Sequence, residues 1–183
     1  SGEVVVTAGG KSIGVPVEVK DVSRKDVDFI RDVEPVISKV GCNAGTCHGA
    51  QQGRKGFKLS LRGYDPLYDY RALVDDVSGR RFNRAKPSDS LMLLKPTQGV
   101  PHEGGFLFDE ESRAFKVIEQ WIAEGCQFST ATRPVRLELL PSSPVLERAG
   151  QTQQMQVIAR FDDGTSRDVT RRPVVEPGDD LHL

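Results

Sequence analysis

The 183-residue sequence predicts an α+β chain, mostly helical in its centre and β-rich at both ends. Three patterns carry that expectation. Apolar residues alternate strictly at Ile13, Val15, Val17 and Val19, and the alternation returns after Pro134 at Val135, Leu137 and Leu139. Between these flanks the period changes to that of a helix, most clearly at Phe115, Ile118, Trp121 and Ile122. Turn residues mark the borders, which divides the chain into residues 1–22, 23–133 and 134–183.

The first division reads as a β-hairpin, with β-branched Glu3–Thr7, a turn at Gly9-Gly10 and the alternating second strand. In the second, Ser23 and Asp26 form a capping-box pattern ahead of Val27, Ile30 and Val33. Pro35 breaks this helix or restarts it at a first-turn position, and Val36, Ile37 and Val40 lead into Cys42. A Gly-rich basic loop over 51–56 precedes the alternating Phe57, Leu59 and Leu61. Asp65-Pro66 opens a further helix with Leu67, Tyr70, Leu73 and Val74 on one side. Arg80, Arg81 and Arg84 cluster in the next loop, and a short helix over 89–95 ends at Pro96. The loop over 97–108 contains His102, and the last helix starts near Asp109, with Gly125 where a helix-ending glycine belongs. In the third division, strands around Val135–Leu139 and Met155–Phe161 flank a turn at Asp162-Asp163-Gly164, with Arg167–Thr170 and Val174-Val175 beyond.

Composition narrows the function. A net charge of -1 gives no reason to expect nucleic acid or an anionic membrane as partner, and no run has the length of a membrane span. No nucleophile with its base and no catalytic carboxylate pair stands out, so substrate turnover is not expected. The chemistry concentrates in residues 41–50, GCNAGTCHGA, where four residues separate Cys42 from Cys47 and His48 follows directly. Cys-x-x-Cys-His is a haem-attachment signal, and here the gap is two residues wider. The residue types fit that chemistry: two thiols tether the macrocycle through its vinyl groups, and the adjacent histidine supplies the proximal nitrogen. Positive φ at Asn43 and Gly45 would let the extra residues bulge outward. Two other readings compete, a small disulfide loop and a zinc site completed by His48, Cys126 or His102. The third thiol, Cys126, is accounted for as a spare beside two thioethers.

Residues 23–128 also carry Asp32-Val33-x-Pro35-Val36, the run over 56–63 (GFKLSLRG) and Ser90-Leu91-x-Leu93-Leu94-Lys95-Pro96. Pro101-His102-x-Gly104-Gly105 and Trp121-Ile122-x-x-Gly125 follow. Together these resemble the planctomycete-type cytochrome c domain, whose fold is like that of class I cytochromes c. The flanks look like partial bacterial immunoglobulin-like domains, on 161–164 and 168–170, and neither flank alone closes a sandwich. We expect both flanks to build one small sandwich, within a chain or swapped between two chains as a homodimer.

The resemblance implies one covalent haem c per chain, held by Cys42 and Cys47 with His48 proximal and His102 distal. It implies electron transfer in a periplasmic, secreted or surface protein, with a redox partner or attached enzyme domains that the sequence does not name. The widened cysteine gap departs from the ordinary cytochrome c pattern. Met92 and Cys126 stand where the family has leucine and alanine and are read as core, and Met155 and His182 are poor ligand candidates. Arg62, Arg81, Arg80, Arg84 and Lys58 are candidate partners for the anionic propionates. Rival functions are a ligand-sensing haem protein with a labile distal ligand, and an adhesive module with a bridged or zinc-bound motif.

Overall fold

Pro35, Pro66, Pro87 and Pro96 punctuate the central segment, and Lys55, Arg62, Val77, Ser78 and Gln98 take left-handed φ between 52° and 61°. Pro35 and Pro66 sit in the first turns of helices, where proline is tolerated, and the left-handed residues fall in the loops between helices. The computed structural model describes residues 2–19, 26–131 and 133–172. The capping box predicted at Ser23, the residues Val174-Val175 and His182 lie outside them.

Among the described residues the α-helices are α1 (Glu34–Lys39), α2 (Pro66–Val74), α3 (Leu91–Leu94) and α4 (Arg113–Ala123). The strands are β1 (Gly2–Ala8), β2 (Lys11–Val17), β3 (Pro134–Leu140), β4 (Gln156–Phe161) and β5 (Ser166–Asp168). Counting the π turn Phe29–Val33 and the short 3-10 turns, the described residues are 27% helix and 20% strand, which overturns the expectation of a mostly helical, class-I-like cytochrome c domain. Helical spacing holds over α2 and α4, but α1 and α3 are only 6 and 4 residues long, and loops with left-handed residues separate the helices. Phe57, Leu59 and Leu61 form no strand either, and the Leu59 amide instead donates to the His48 carbonyl at 2.8 Å.

The composite sandwich is corrected as well. β1 and β2 form their own two-stranded antiparallel sheet, and β3-β4-β5 form a separate antiparallel sheet. Register pairs Val4 with Val15 and Val6 with Ile13, so one hairpin face is apolar, and every residue of both strands is exposed. The alternation predicted the hairpin and its apolar face correctly; what covers such a face is not encoded in the alternation.

The core is built on α4. Phe115, Ile118, Trp121 and Ile122 are buried along one face, and Ser112 caps the helix by accepting from the Phe115 amide at 3.1 Å. Phe29 sits against Trp121, with ring centres 5.4 Å apart, and Tyr70 approaches Phe29 edge-on. The Trp121 indole donates to the Gln127 carbonyl at 2.9 Å, and the Phe29 amide donates to the same carbonyl at 3.0 Å. Val33, Ile37, Leu59, Leu73 and Leu93 complete this core. The β3-β4-β5 sheet is tied to it through Asp32, whose carboxylate receives Arg167 at 3.1 Å and Arg172 at 2.8 Å.

Candidate functional site

α1 ends at Lys39, and the motif follows as consecutive turns. The Cys42 amide donates to the Ile37 carbonyl at 3.1 Å, and the His48 amide returns to the Cys42 carbonyl at 2.9 Å. The gap between the cysteines is thereby folded up rather than stretched. The left-handed residue here is Gly41, with φ 83°, and neither Asn43 nor Gly45 has positive φ. Gly45 and Thr46 face solvent, as an outward bulge requires, but Asn43 turns inward and is buried. Its amide donates to Glu34 Oε1 at 3.1 Å and to Ser38 Oγ at 2.8 Å. Gly49 is required where it stands, because a Cβ there would lie 2.0 Å from the Asn43 carbonyl oxygen.

His48 opens into a cleft of about 1190 Å³, larger than the roughly 300–1,000 Å³ of ordinary small-ligand pockets. Val40, Phe57, Leu59, Leu91, Met92 and Leu107 give it apolar walls, and Cys42 and Cys47 also line it. All three cysteines are free thiols. His102 enters from the opposite wall, and its ring is nearly parallel to that of His48, with centres 6.5 Å apart and planes 15° apart.

Each imidazole is oriented from behind. His48 Nδ1 lies 3.1 Å from the Phe57 carbonyl, and His102 Nδ1 lies 3.1 Å from the Gly105 carbonyl. A carbonyl only accepts, so both Nδ1 atoms carry the hydrogen and both Nε2 atoms keep a free lone pair. Burial pushes the His48 pKa below its usual 6.5, and the neighbouring His102, Arg81 and Lys95 push the same way against the Phe57 carbonyl. His48 is therefore neutral at pH 7, the state in which imidazole binds metal. Two imidazoles bound to opposite sides of one ion place their ring centres about 6 Å apart, given metal–nitrogen bonds of about 2.0 Å. The observed separation of ring centres is close to that value.

Beside His102, a Cβ on Gly104 would lie 2.7 Å from its Cε1 and 3.1 Å from its Nε2. Only glycine lets the loop close under the ring.

The two arginines singled out from the sequence have different places. Arg81 lines the cleft, its guanidinium 4.1 Å from the Phe57 ring centre and its Nη1 donating to the Ala72 carbonyl at 2.9 Å. Arg62 lies outside the lining, in an exposed turn. Arg80 lines the cleft, while Arg84 and Lys58 do not. Arg54, Lys55 and Lys95, which the sequence reading passed over, join it, with Glu103 paired to Lys55 at 3.2 Å. The charge of residues 54–55 was visible in the Gly-rich loop, but nothing in the string told which way that loop folds.

Of the other ligand candidates, Met92 lines the cleft, Cys126 is buried outside it, and Met155 lines a separate groove beside Asp168. Among the described residues no group of three or more His, Cys, Asp and Glu side chains forms a metal-binding cluster, and no helix is long and apolar enough to cross a membrane. No family model matches the chain, and no curated protein or solved structure matches it.

Proposed function

We propose that the chain is a monohaem c-type cytochrome module for electron transfer. The observation that supports it most is the pair of oriented, facing imidazoles of His48 and His102 across a large apolar cleft. Cys42 and Cys47 would anchor the macrocycle, each through a thioether to one vinyl group. Burial, with Cys47 nearby, pushes the Cys42 thiol up to about 12, so it is protonated at neutral pH. Bound haem supplies a one-electron couple at iron. His48 and His102 would hold that iron, and the apolar walls of the cleft would keep water from it. Arg80, Arg81, Lys95 and Arg54 offer cationic partners to the propionates at the rim. Haem is attached to such motifs outside the cytoplasm, which puts the protein in the periplasm or at the cell surface.

The test is protein matured with a haem-attachment system, examined by absorption spectroscopy and intact mass. The expected product carries one covalent haem and is low-spin without a methionine charge-transfer band. Its midpoint lies below that of a His/Met cytochrome. His102→Ala should keep the covalent haem but turn high-spin and bind carbon monoxide when reduced. A colourless product of unmodified mass, or one lighter by two hydrogens, overturns the proposal in favour of zinc or a disulfide.

A further inference from the structure

Beneath the motif lies a buried acidic group that binding of the macrocycle does not use. Glu34, on the first turn of α1, is 6% exposed, and its Oε2 has no hydrogen-bond partner. Its Oε1 accepts only from the neutral amide of Asn43, and Gly63 closes over it, with space for no Cβ 2.4 Å away. The charge that acts on Glu34 is Asp69 on α2, fully buried, whose two oxygens already accept from the Ser60 amide at 2.5 Å and the Ser60 hydroxyl at 2.7 Å.

Two carboxyls share one site, and Asp69 has donors for both oxygens whereas Glu34 has one for Oε1 alone. An unpartnered buried carboxylate oxygen is costly, and a hydrogen on it removes the cost by donating to the neighbouring carboxylate.

We propose that Glu34 is a proton-binding site linked to the iron's redox state, so that reduction of the module takes up a proton there; this rests on the haem reading above. The link runs through the motif. Glu34 holds Asn43, Asn43 adjoins Cys42, and the charge of Glu34 is felt at the Cys42 thiol. As a one-electron donor reduces the iron, Glu34 carboxylate takes one proton from bulk water and closes its O–H bond, and oxidation returns electron and proton together. The groups that bear on Glu34 are Asp69 of α2 and the Asn43 amide, while Asp65 acts on Asp69 and Glu34 in turn acts on Cys42. Asp32, on the same segment as Glu34, is engaged by arginines of the sheet.

Burial first, and Asp69 second, raise the Glu34 pKa to about 8. A ferric haem core carries one positive charge more than a ferrous one, so the oxidised state releases the proton at lower pH. The window of linkage therefore opens just below pH 8.

Redox titration of the haem-loaded protein from about pH 6 to about pH 9 tests this, since one proton per electron tilts the midpoint by up to ~59 mV per pH unit. The tilt is expected in the unaltered protein and is expected to vanish in Glu34→Gln, which retains the shape and the Asn43 contact. The infrared band of a protonated carboxyl should appear on reduction of the unaltered protein at pH 7 to 8 and be absent from Glu34→Gln. A haem-loaded protein whose midpoint ignores pH, with no such band, overturns the proton site and leaves the cytochrome intact. A tilt that survives in Glu34→Gln overturns the assignment to Glu34. A chain that takes up no haem overturns both.

Discussion

Asp32 and Glu34 are two residues apart and almost equally buried, at 5% and 6% exposure, yet their surroundings are opposite. Asp32 faces the β3-β4-β5 sheet, and its carboxylate receives Arg31 at 2.9 Å, Arg167 at 3.1 Å and Arg172 at 2.8 Å. Glu34 faces the motif and meets an amide on one oxygen and nothing on the other. Burial raises the Asp32 pKa, but the Asp28 amide and the three guanidinium groups outweigh it and hold the carboxyl below its ordinary 3.8. Burial at Glu34 has no such opposition. The difference teaches that depth does not set the charge of a carboxyl; its partners do. One side of this short segment is an electrostatic staple, and the other is a store for a proton.

Breaking the staple should have the largest effect. Asp32→Asn leaves Arg172, 11% exposed, with its charge uncompensated. A broken buried ion pair costs about 3–5 kcal/mol. Urea denaturation should show that loss, and protease cleavage within residues 134–172 should rise with it. A stability unchanged by Asp32→Asn would mean that the sheet is held by apolar contact alone.

The contrast sharpens as a function of pH. For Asp32 the folded pKa is lowered, so its contribution is complete above 3.8 and is lost as pH falls through the folded value. For Glu34 the folded pKa is raised, so its contribution is complete below 4.5 and is lost as pH rises through about 8. Melting temperatures of the haem-free chain should therefore fall on both sides, and Glu34→Gln should flatten only the alkaline side, a change on the order of a few kcal/mol.

The smallest expected effect is that of Arg167→Met. This arginine is 40% exposed and shares Asp32 with Arg172, so its loss should cost about 1 kcal/mol or less by urea denaturation. A cost as large as that of Asp32→Asn would make Arg167, rather than Arg172, the principal partner.

How much of this was legible in the string varies by residue. The buried face of α4 was, because Phe115, Ile118, Trp121 and Ile122 recur at the helical period, and a period survives any tertiary context. Asp65-Pro66 was legible too, since a capping carboxylate and a first-turn proline act locally; Asp65 accepts from the Tyr68 amide at 3.0 Å. The helical centre was overestimated, because matches one turn long do not show where left-handed residues such as Val77 and Ser78 will interrupt. Arg62 and Arg81 looked alike as basic residues, and only the fold set one on the cleft wall and the other outside it. Asn43, read as part of an outward bulge, became the buried link between Cys42 and Glu34, which no local rule anticipates.

The sequence by itself determined the chemical inventory, two thiols and a histidine within residues 42–48 and a second histidine at 102, because reactivity belongs to the side chain. It also determined the hairpin and its apolar face, because alternation is a property of neighbouring residues. Only the tertiary structure decided that His48 and His102, 54 residues apart in the chain, come together with 6.5 Å between ring centres. It alone decided which of two buried carboxyls keeps a proton. Both outcomes depend on contacts between segments distant along the chain, and such contacts are fixed by packing rather than by pattern.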